Sequence, residues 1–249
     1  MLISMPHNGQ VIPNDIAKLM TASGRKVADT DWDMDKLYDF AERLGISTIT
    51  PKYSRYVIDL NRDISGVNLY PGANSTELCP TTSFDLLPLY MDHQHPDQQE
   101  IARRIALYWR PYHQALSDTL EKMRQQFGRV VLLDAHSILS HVPRFFEGQL
   151  ADFNFGNVDG LSCGEELITQ IKQLDLLPYS SVVNGRFKGG YITRAYGKPS
   201  DNVHAIQLEL SQRTYMDEPS NYYNEGKAEQ VKQKLQTLVT CLANFAQQK

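Results

Sequence analysis

The sequence lacks the marks of several large protein classes. It holds three cysteines, Cys79, Cys163 and Cys241, far apart and with no CxxC pair. An odd, scattered set builds neither a disulfide framework nor a cysteine-based structural zinc site, and it fits a reducing compartment. No uninterrupted apolar run reaches the about 18 residues that a membrane span needs. The opening MLISMPHNG has no basic segment leading into a long apolar one. It does not read as a signal peptide, so the expected location is the cytoplasm. Charge of either sign is in little excess: 25 basic and 29 acidic groups leave a formal net charge of -4. These charges are spread along the chain, so neither a nucleic-acid partner nor a membrane partner is expected, and no obligate protein partner is implied. Internal repeats, low-complexity segments and linkers are missing too. The 249 residues, 41% of them hydrophobic, suffice for one α/β domain with its own core, and 1–249 reads as a single domain.

The pattern along the chain alternates strands and helices. Leu2-Ile3-Ser4-Met5 is strand-like and is stopped by Pro6. Residues 14–20 suit a short helix. Residues 31–44 suit a longer one, with Met34, Leu37, Tyr38, Ala41 and Leu44 on one face and Gly45 as the stop. Ile46 to Ile49 and Tyr56 to Leu60 are strand candidates. A polar stretch from Asn61 to about His95, holding Gly66, Pro71, Gly72, Pro80 and Pro88, reads as a long functional loop. Residues 96–126 carry a helical pattern that Pro111 must kink or interrupt. Arg129 to Asp134 is the best buried strand, and 137–160 is loop-like. A helix over Cys163 to about Leu174 follows, then strands at Ser181–Asn184, Tyr191–Arg194 and Val203–Leu210, then a helix from about Asn224 to Ala246. This order predicts an α/β fold, a mixed and mostly parallel sheet with helices on both faces.

Some residues stand where chemistry is done. His7 follows the first strand, and ligands in open α/β sheets collect beyond the carboxyl ends of strands. A plain loop histidine is the alternative. His136 ends the apolar run Val130-Val131-Leu132-Leu133-Asp134, and Asp134 shares its face if the strand continues. A carboxylate beside a ligating histidine fixes its tautomer, although Asp134 could equally hold a structural histidine. Asp29, Asp31, Asp33 and Asp35 crowd one helix start, beyond what capping needs. One of them would complete a three-ligand zinc centre with a position open to water. Glu209 lies near the end of an apolar strand, on the face of Ala205 and Gln207. It is either a paired strand-end carboxylate or a general base beside a metal-activated water. Arg55, Asn61 and Arg62 form one polar set, and Arg186, Lys188 and Arg194 a second on a glycine-containing loop. Both suit a small dianionic substrate, since arginine grips carboxylates bidentately. Each of these residues is also compatible with ordinary solvated charge.

Taken in order, MPHNG, DTDWDMDKLYDFA, YSRYVIDLNR, LCPTTSFD, YWRPYH, LLDAHSI, DFNFGNVDG, NGRFKGGYITRAYG and HAIQLELSQRTYMDE resemble the N-formylglutamate amidohydrolase (deformylase) family through most of the chain. The resemblance implies a zinc-dependent exopeptidase-like (phosphorylase/hydrolase-like) fold. It implies one zinc ion on His7, Asp31 and His136, with Glu209 as general base and Asp134 supporting a ligand. It places Arg55, Asn61, Arg62, Arg186 and Arg194 at the substrate. Asp33 departs from the pattern, standing where many relatives are expected to carry histidine, so Asp33 and Asp29 remain alternatives to Asp31 as the acidic ligand. The implied reaction is hydrolysis of N-formyl-L-glutamate to formate and L-glutamate, the close of a histidine-degradation route. Other readings are a hydrolase of another N-acyl amino acid such as N-formylaspartate or of a short peptide, and a non-catalytic binder of an acidic amino acid. Cobalt or manganese would suit the same donors.

Overall fold

The aliphatic run from Val130 onward becomes the central strand of a six-stranded sheet. The computed structural model describes residues 1–67 and 74–248. The strands are β1 (Leu2–Ser4), β2 (Ser47–Ile49), β3 (Val130–Ile138), β4 (Phe153–Gly156), β5 (Ser181–Val183) and β6 (Val203–Ser211), in the order β2-β1-β3-β6-β4-β5. A separate ribbon pairs β7 (Met216–Asp217) with β8 (Tyr222–Tyr223). The helices are α1 (Asn14–Ala17), α2 (Met34–Leu37), α3 (Phe40–Arg43), α4 (Gln98–Arg104), α5 (Arg110–Phe127), α6 (Glu165–Lys172), α7 (Tyr191–Tyr196) and α8 (Glu225–Gln247). β2, β1, β3 and β6 run parallel, whereas β4 opposes β6 and takes β5 with it. The sheet is therefore mixed and mostly parallel, as the alternation of elements predicts.

Every residue of β3 is buried, because both faces of the sheet are covered. Ile3, Val131, Leu133, Ile206, Leu208 and Leu210 pack with Met34, Leu37, Leu167, Ile171 and the Val231, Leu235, Leu238 and Val239 stripe of α8. Leu2, Val130, Leu132 and Ala205 face the other way, toward Tyr112, Leu116 and Leu120 of α5. The period of two assigns neighbouring residues to opposite cores. Among the described residues, no helix is long and apolar enough to cross a membrane.

Several local expectations are corrected. The helix expected over 31–44 is two single turns, α2 and α3. Asp33 adopts φ 53 and Asn8 Oδ1 accepts from Met34 N–H, so helix begins only after Asp31 has been turned toward the interior. Met34, Leu37, Tyr38 and Ala41 are buried as the spacing requires, but Leu44 is 46% exposed. Gly45 ends the segment at φ 67. Tyr56–Leu60 is not a strand, since the carbonyls of Val57 and Leu60 accept from side chains instead of a ladder. Tyr191–Arg194 is helical despite Ile192 and Thr193. The Ile192 N–H is taken by Asn61 Oδ1 at 2.8 Å and Thr193 Oγ1 donates to Asp134 at 2.9 Å, so tertiary contacts override the β preference. The loop-like reading of 137–160 misses the end of β3 and all of β4. The break near Pro111 takes the form of a π turn, Ile105–Trp109, just before Pro111 in the first turn of α5. The polar stretch after Asn61 is irregular where described, and Pro71 and Gly72 lie outside the described residues.

Candidate active site

The carboxyl ends of β1, β3 and β6 bring the polar residues together. His7 lies three residues beyond β1 and is held there by Asp31 N–H, which donates to the His7 carbonyl at 3.1 Å. His136 lies within β3, directly across from Glu209 on β6. Asp31 reaches the same point from the turn before α2, and its Oδ2 accepts from Ser137 N–H at 3.1 Å. His136 Nδ1 is 3.1 Å from His7 Nδ1 and 3.2 Å from Asp31 Oδ2, and the remaining edge, His7 Nδ1 to Asp31 Oδ2, is 3.7 Å. All three residues are buried, and they form a group that could hold a metal ion.

The far side of each imidazole says what the near side can do. His7 Nε2 meets Asp59 Oδ1 at 2.7 Å, and His136 Nε2 meets Asp134 Oδ1 at 3.0 Å. A carboxylate at Nε2 draws the ring proton there and leaves the Nδ1 lone pair facing inward. Two such lone pairs and one carboxylate oxygen then converge, an arrangement that repels itself unless positive charge lies between them. Ligands about 2.0–2.1 Å from a tetrahedral zinc lie about 3.3 Å apart, close to the edges of this triangle. The donor set fits a metal. The ionisation behaviour agrees. Burial alone would raise the Asp31 pKa, yet His7 and His136 hold it below the usual carboxylate range. Burial alone would lower the His136 pKa, yet Asp134 and Asp31 raise it well above the ordinary histidine value. Either way, this point attracts a cation.

Glu209 differs from these carboxylates. Burial, with the negative Asp31 nearby, pushes its pKa up to about 8 against the pull of His136 and Arg55. It lines a pocket with His7, His136, Ser137, Gln207, Arg55, Asn61, Arg62, Arg186 and the rings of Phe84, Phe145 and Phe187. Arg62 anchors by donating Nε to the Thr76 carbonyl at 3.1 Å, and Arg186 by donating Nε to the Phe145 carbonyl at 2.5 Å. Arg55 is buried and donates to Asp59 Oδ2 at 2.7 Å, with Asp31 Oδ1 3.7 Å from its other amine. Its guanidinium lies over Phe84, 5.0 Å from the ring centre. Asn61 holds the start of α7 through Ile192 N–H, and its amide is 3.0 Å from His136 Nε2. Gly190 is what admits it: a Cβ there would lie 2.3 Å from Asn61 Nδ2. Arg194 is not among the residues lining this pocket, and its Nε donates to the Gly189 carbonyl at 2.9 Å. Asp29 and Asp33 point elsewhere, Asp29 accepting from Phe84 N–H at 2.8 Å and Asp33 pairing with Lys36 at 2.7 Å.

The donor triangle could hold a metal ion beside a buried carboxyl and cationic walls, and sequence comparison names the family. The sequence model of the N-formylglutamate amidohydrolase family matches residues 1–216. The chain belongs to this family. An N-formylglutamate deformylase of Pseudomonas aeruginosa is 43% identical over 252 residues, covering 100% of this chain and 94% of the relative. One of Pseudomonas putida is 44% identical over 245 residues, covering 97% and 91%. The crystal structure of the N-formylglutamate amidohydrolase of Ralstonia eutropha JMP134 superposes with a TM-score of 0.81 at 29% identity, covering 96% of this chain and 92% of that one. A gene product of Agrobacterium tumefaciens shares the fold, with a TM-score of 0.71 at 18% identity over 98% and 89% of the two chains. The stretch matched to the amidohydrolase family contains every pocket residue named here.

Residue-level reading overlooks Asp59, Gln207 and the three phenylalanines. Asp59 carried a signal: it is the lone carboxylate in the apolar run Tyr56 to Leu60, the same anomaly that singles out Glu209. The phenylalanines come from separate loops, and nothing in their local sequence places them together.

Proposed function

We propose that this chain is a metal-dependent amidohydrolase that cleaves N-formyl-L-glutamate to formate and L-glutamate, acting through a single catalytic domain. The observation that carries the reading is the convergence of His7, Asp31 and His136 beside the buried Glu209, in a chain more than two-fifths identical to curated deformylases. The proposed occupant is one zinc ion. When bound, zinc supplies Lewis acidity and allows water to act as a nucleophile near neutral pH.

The remaining work falls to the chain's own groups. Asp59 and Asp134 keep the ligand imidazoles in the tautomer that faces inward. Glu209 accepts a proton from the attacking water and delivers it to the departing amine nitrogen as the C–N bond breaks. Cationic charge at the donor triangle favours its ionised form, offsetting the burial that raises its pKa. Arg62 and Arg186, held at the pocket wall by Nε bonds to backbone carbonyls, bring positive charge to the two carboxylates of the substrate, with the Arg62 Nη atoms also donating to the Asn61 carbonyl and to Thr76 Oγ1. Arg55 acts one step back, neutralising Asp59 and Asp31. Arg194 holds the Gly189 turn beside the pocket. Phe84, Phe145 and Phe187 exclude water from the reacting bond.

A substrate panel tests the assignment. The purified zinc-loaded protein should release amine from N-formyl-L-glutamate with a kcat/KM about 10-fold or more above that for N-formyl-L-aspartate, since one methylene is worth about that factor or more. Preference for N-acetylglutamate, or turnover of neither formyl compound, would move the substrate elsewhere.

A further inference from the structure

The segment YWRPYH is a sequence motif to which this mechanism gives no role. It sits where α4 passes into α5, and the structure gives it a definite task. The Tyr56–Arg62 segment carries Asp59, Asn61 and Arg62, yet forms no strand or helix. Its backbone is largely buried, so its carbonyls need donors. Three donors come from one helical rod. Arg104 Nη1 donates to the Val57 carbonyl at 3.0 Å, His113 Nε2 to the Leu60 carbonyl at 2.9 Å, and Trp109 Nε1 to the Arg62 carbonyl at 3.0 Å.

An unbroken α-helix could not aim all three. Five residues advance about 500° around an α-helix, which leaves the side chains of residues 104 and 109 about 140° apart. The π turn at Ile105–Trp109 takes up an extra residue and returns Trp109 toward the face of Arg104, with His113 one α turn further on. Trp109 and His113 are stacked, 3.8 Å between ring centres. Burial pushes the His113 pKa down to about 4, so the ring is neutral at pH 7. Nε2 then donates to Leu60, and Nδ1 accepts from the Tyr196 hydroxyl at 2.9 Å.

We infer that Trp109 and His113 are positioning residues: a side-chain clamp set by the π turn that fixes Asp59 for His7 and Arg62 for the substrate. This rests on the activity proposed above. The clamp has two separable ends. Trp109 holds the carbonyl of Arg62 itself, on the substrate side. His113 holds the carbonyl directly after Asp59, on the side of the metal ligand.

The test uses the full-length protein and Zn2+ alone as the metal probe. Variants Trp109→Phe, His113→Leu and His113→Gln are compared by thermal melting, by Zn2+ affinity in competition with a chromophoric chelator, and by kcat and KM on N-formyl-L-glutamate. Trp109→Phe keeps the ring and removes the donor. It should raise KM about 10-fold, hold kcat within about threefold and leave Zn2+ affinity unchanged. His113→Leu should weaken Zn2+ binding about 10-fold, and His113→Gln, which restores a donor near Nε2, should recover most of it. The clamp is refuted if folded Trp109→Phe keeps its KM, or if Leu and Gln at position 113 bind Zn2+ alike. Should the wild type fail to turn over the formyl compound, the activity reading falls, and the Zn2+ affinities of the two His113 variants still decide the clamp.

Discussion

Replacing Asp59 by asparagine isolates what the buried carboxylate contributes. The side chain keeps its shape, and its Oδ1 still accepts from Asn61 N–H and from His7 Nε2–H, at 2.8 and 2.7 Å in the wild type. What changes is the position of Oδ2, which now carries N–H groups facing Arg55 Nη2 across 2.7 Å. Arg55 is 8% exposed and Asp59 is 0% exposed, so water cannot repair the mismatch. Breaking a buried pair of this kind costs about 3–5 kcal/mol. For a chain of this length each kcal/mol lowers Tm by about 2–4 °C, so thermal melting of Asp59→Asn should show a drop of about 6–20 °C. Loss of the negative partner also lowers the basicity of the His7 ring, and Zn2+ affinity should fall about 10–100-fold. A double variant, Asp59→Asn with Arg55→Gln, separates the two effects. It removes the stranded cation and should recover part of the melting temperature, while the Zn2+ affinity stays low. If Asp59→Asn binds Zn2+ as the wild type does, or if the double variant restores the affinity as well, the support of His7 by Asp59 is wrong.

Further outcomes follow from the same geometry. Glu209→Gln should retain the fold and Zn2+ binding but lose about 10²–10⁴-fold in kcat, and near wild-type deformylation by the purified variant would remove Glu209 as the base. Arg62→Ala and Arg186→Ala should each raise KM for N-formyl-L-glutamate by about 10-fold or more through lost bidentate pairing, and unchanged kinetics would take that residue out of the substrate site. His113 is held neutral in the fold, its pKa lowered by burial from 6.5 to about 4, a difference that corresponds to about 3 kcal/mol. The sign follows from the depressed value. This stability is fully present above about 6.5 and is lost as pH falls toward about 4, because the unfolded chain then binds the extra proton. Melting curves of wild type and His113→Gln should therefore converge as pH falls through that window, and parallel curves would contradict the burial account.

Much of the sheet could be read directly, because β3 and β6 are strands whose residue types leave few choices. Val130 to Leu133 is an aliphatic run buried on both faces, and Ile206, Leu208 and Leu210 alternate with the polar Gln207 and Glu209. α8 was equally plain from the three-and-four spacing of Val231, Leu235, Leu238, Leu242 and Phe245. The errors cluster where local preference yields to the site. Tyr56 to Leu60 looks like a strand, but its carbonyls are taken by Arg104 and His113, about fifty residues away in sequence. Ile192 and Thr193 look like strand residues, but Asn61 and Asp134 draw them into a helix. Composition crowds Asp29, Asp31, Asp33 and Asp35 at one helix start, and the family resemblance favours Asp31 among them. The left-handed turn at Asp33 and the bond from Asp31 N–H to His7 turn Asp31 inward. Asp59 shows the remaining limit: in an apolar, strand-like run nothing local says which partner a lone carboxylate meets, and only the fold brings it to His7.

The most direct measurement is formate release from N-formyl-L-glutamate by metal-replete and chelator-treated protein, with metal content determined on the same samples. One zinc per chain, formate production that disappears on chelation, and recovery when zinc is restored are the expected results. Undiminished formate release from protein that contains no metal would contradict the metal-dependent mechanism.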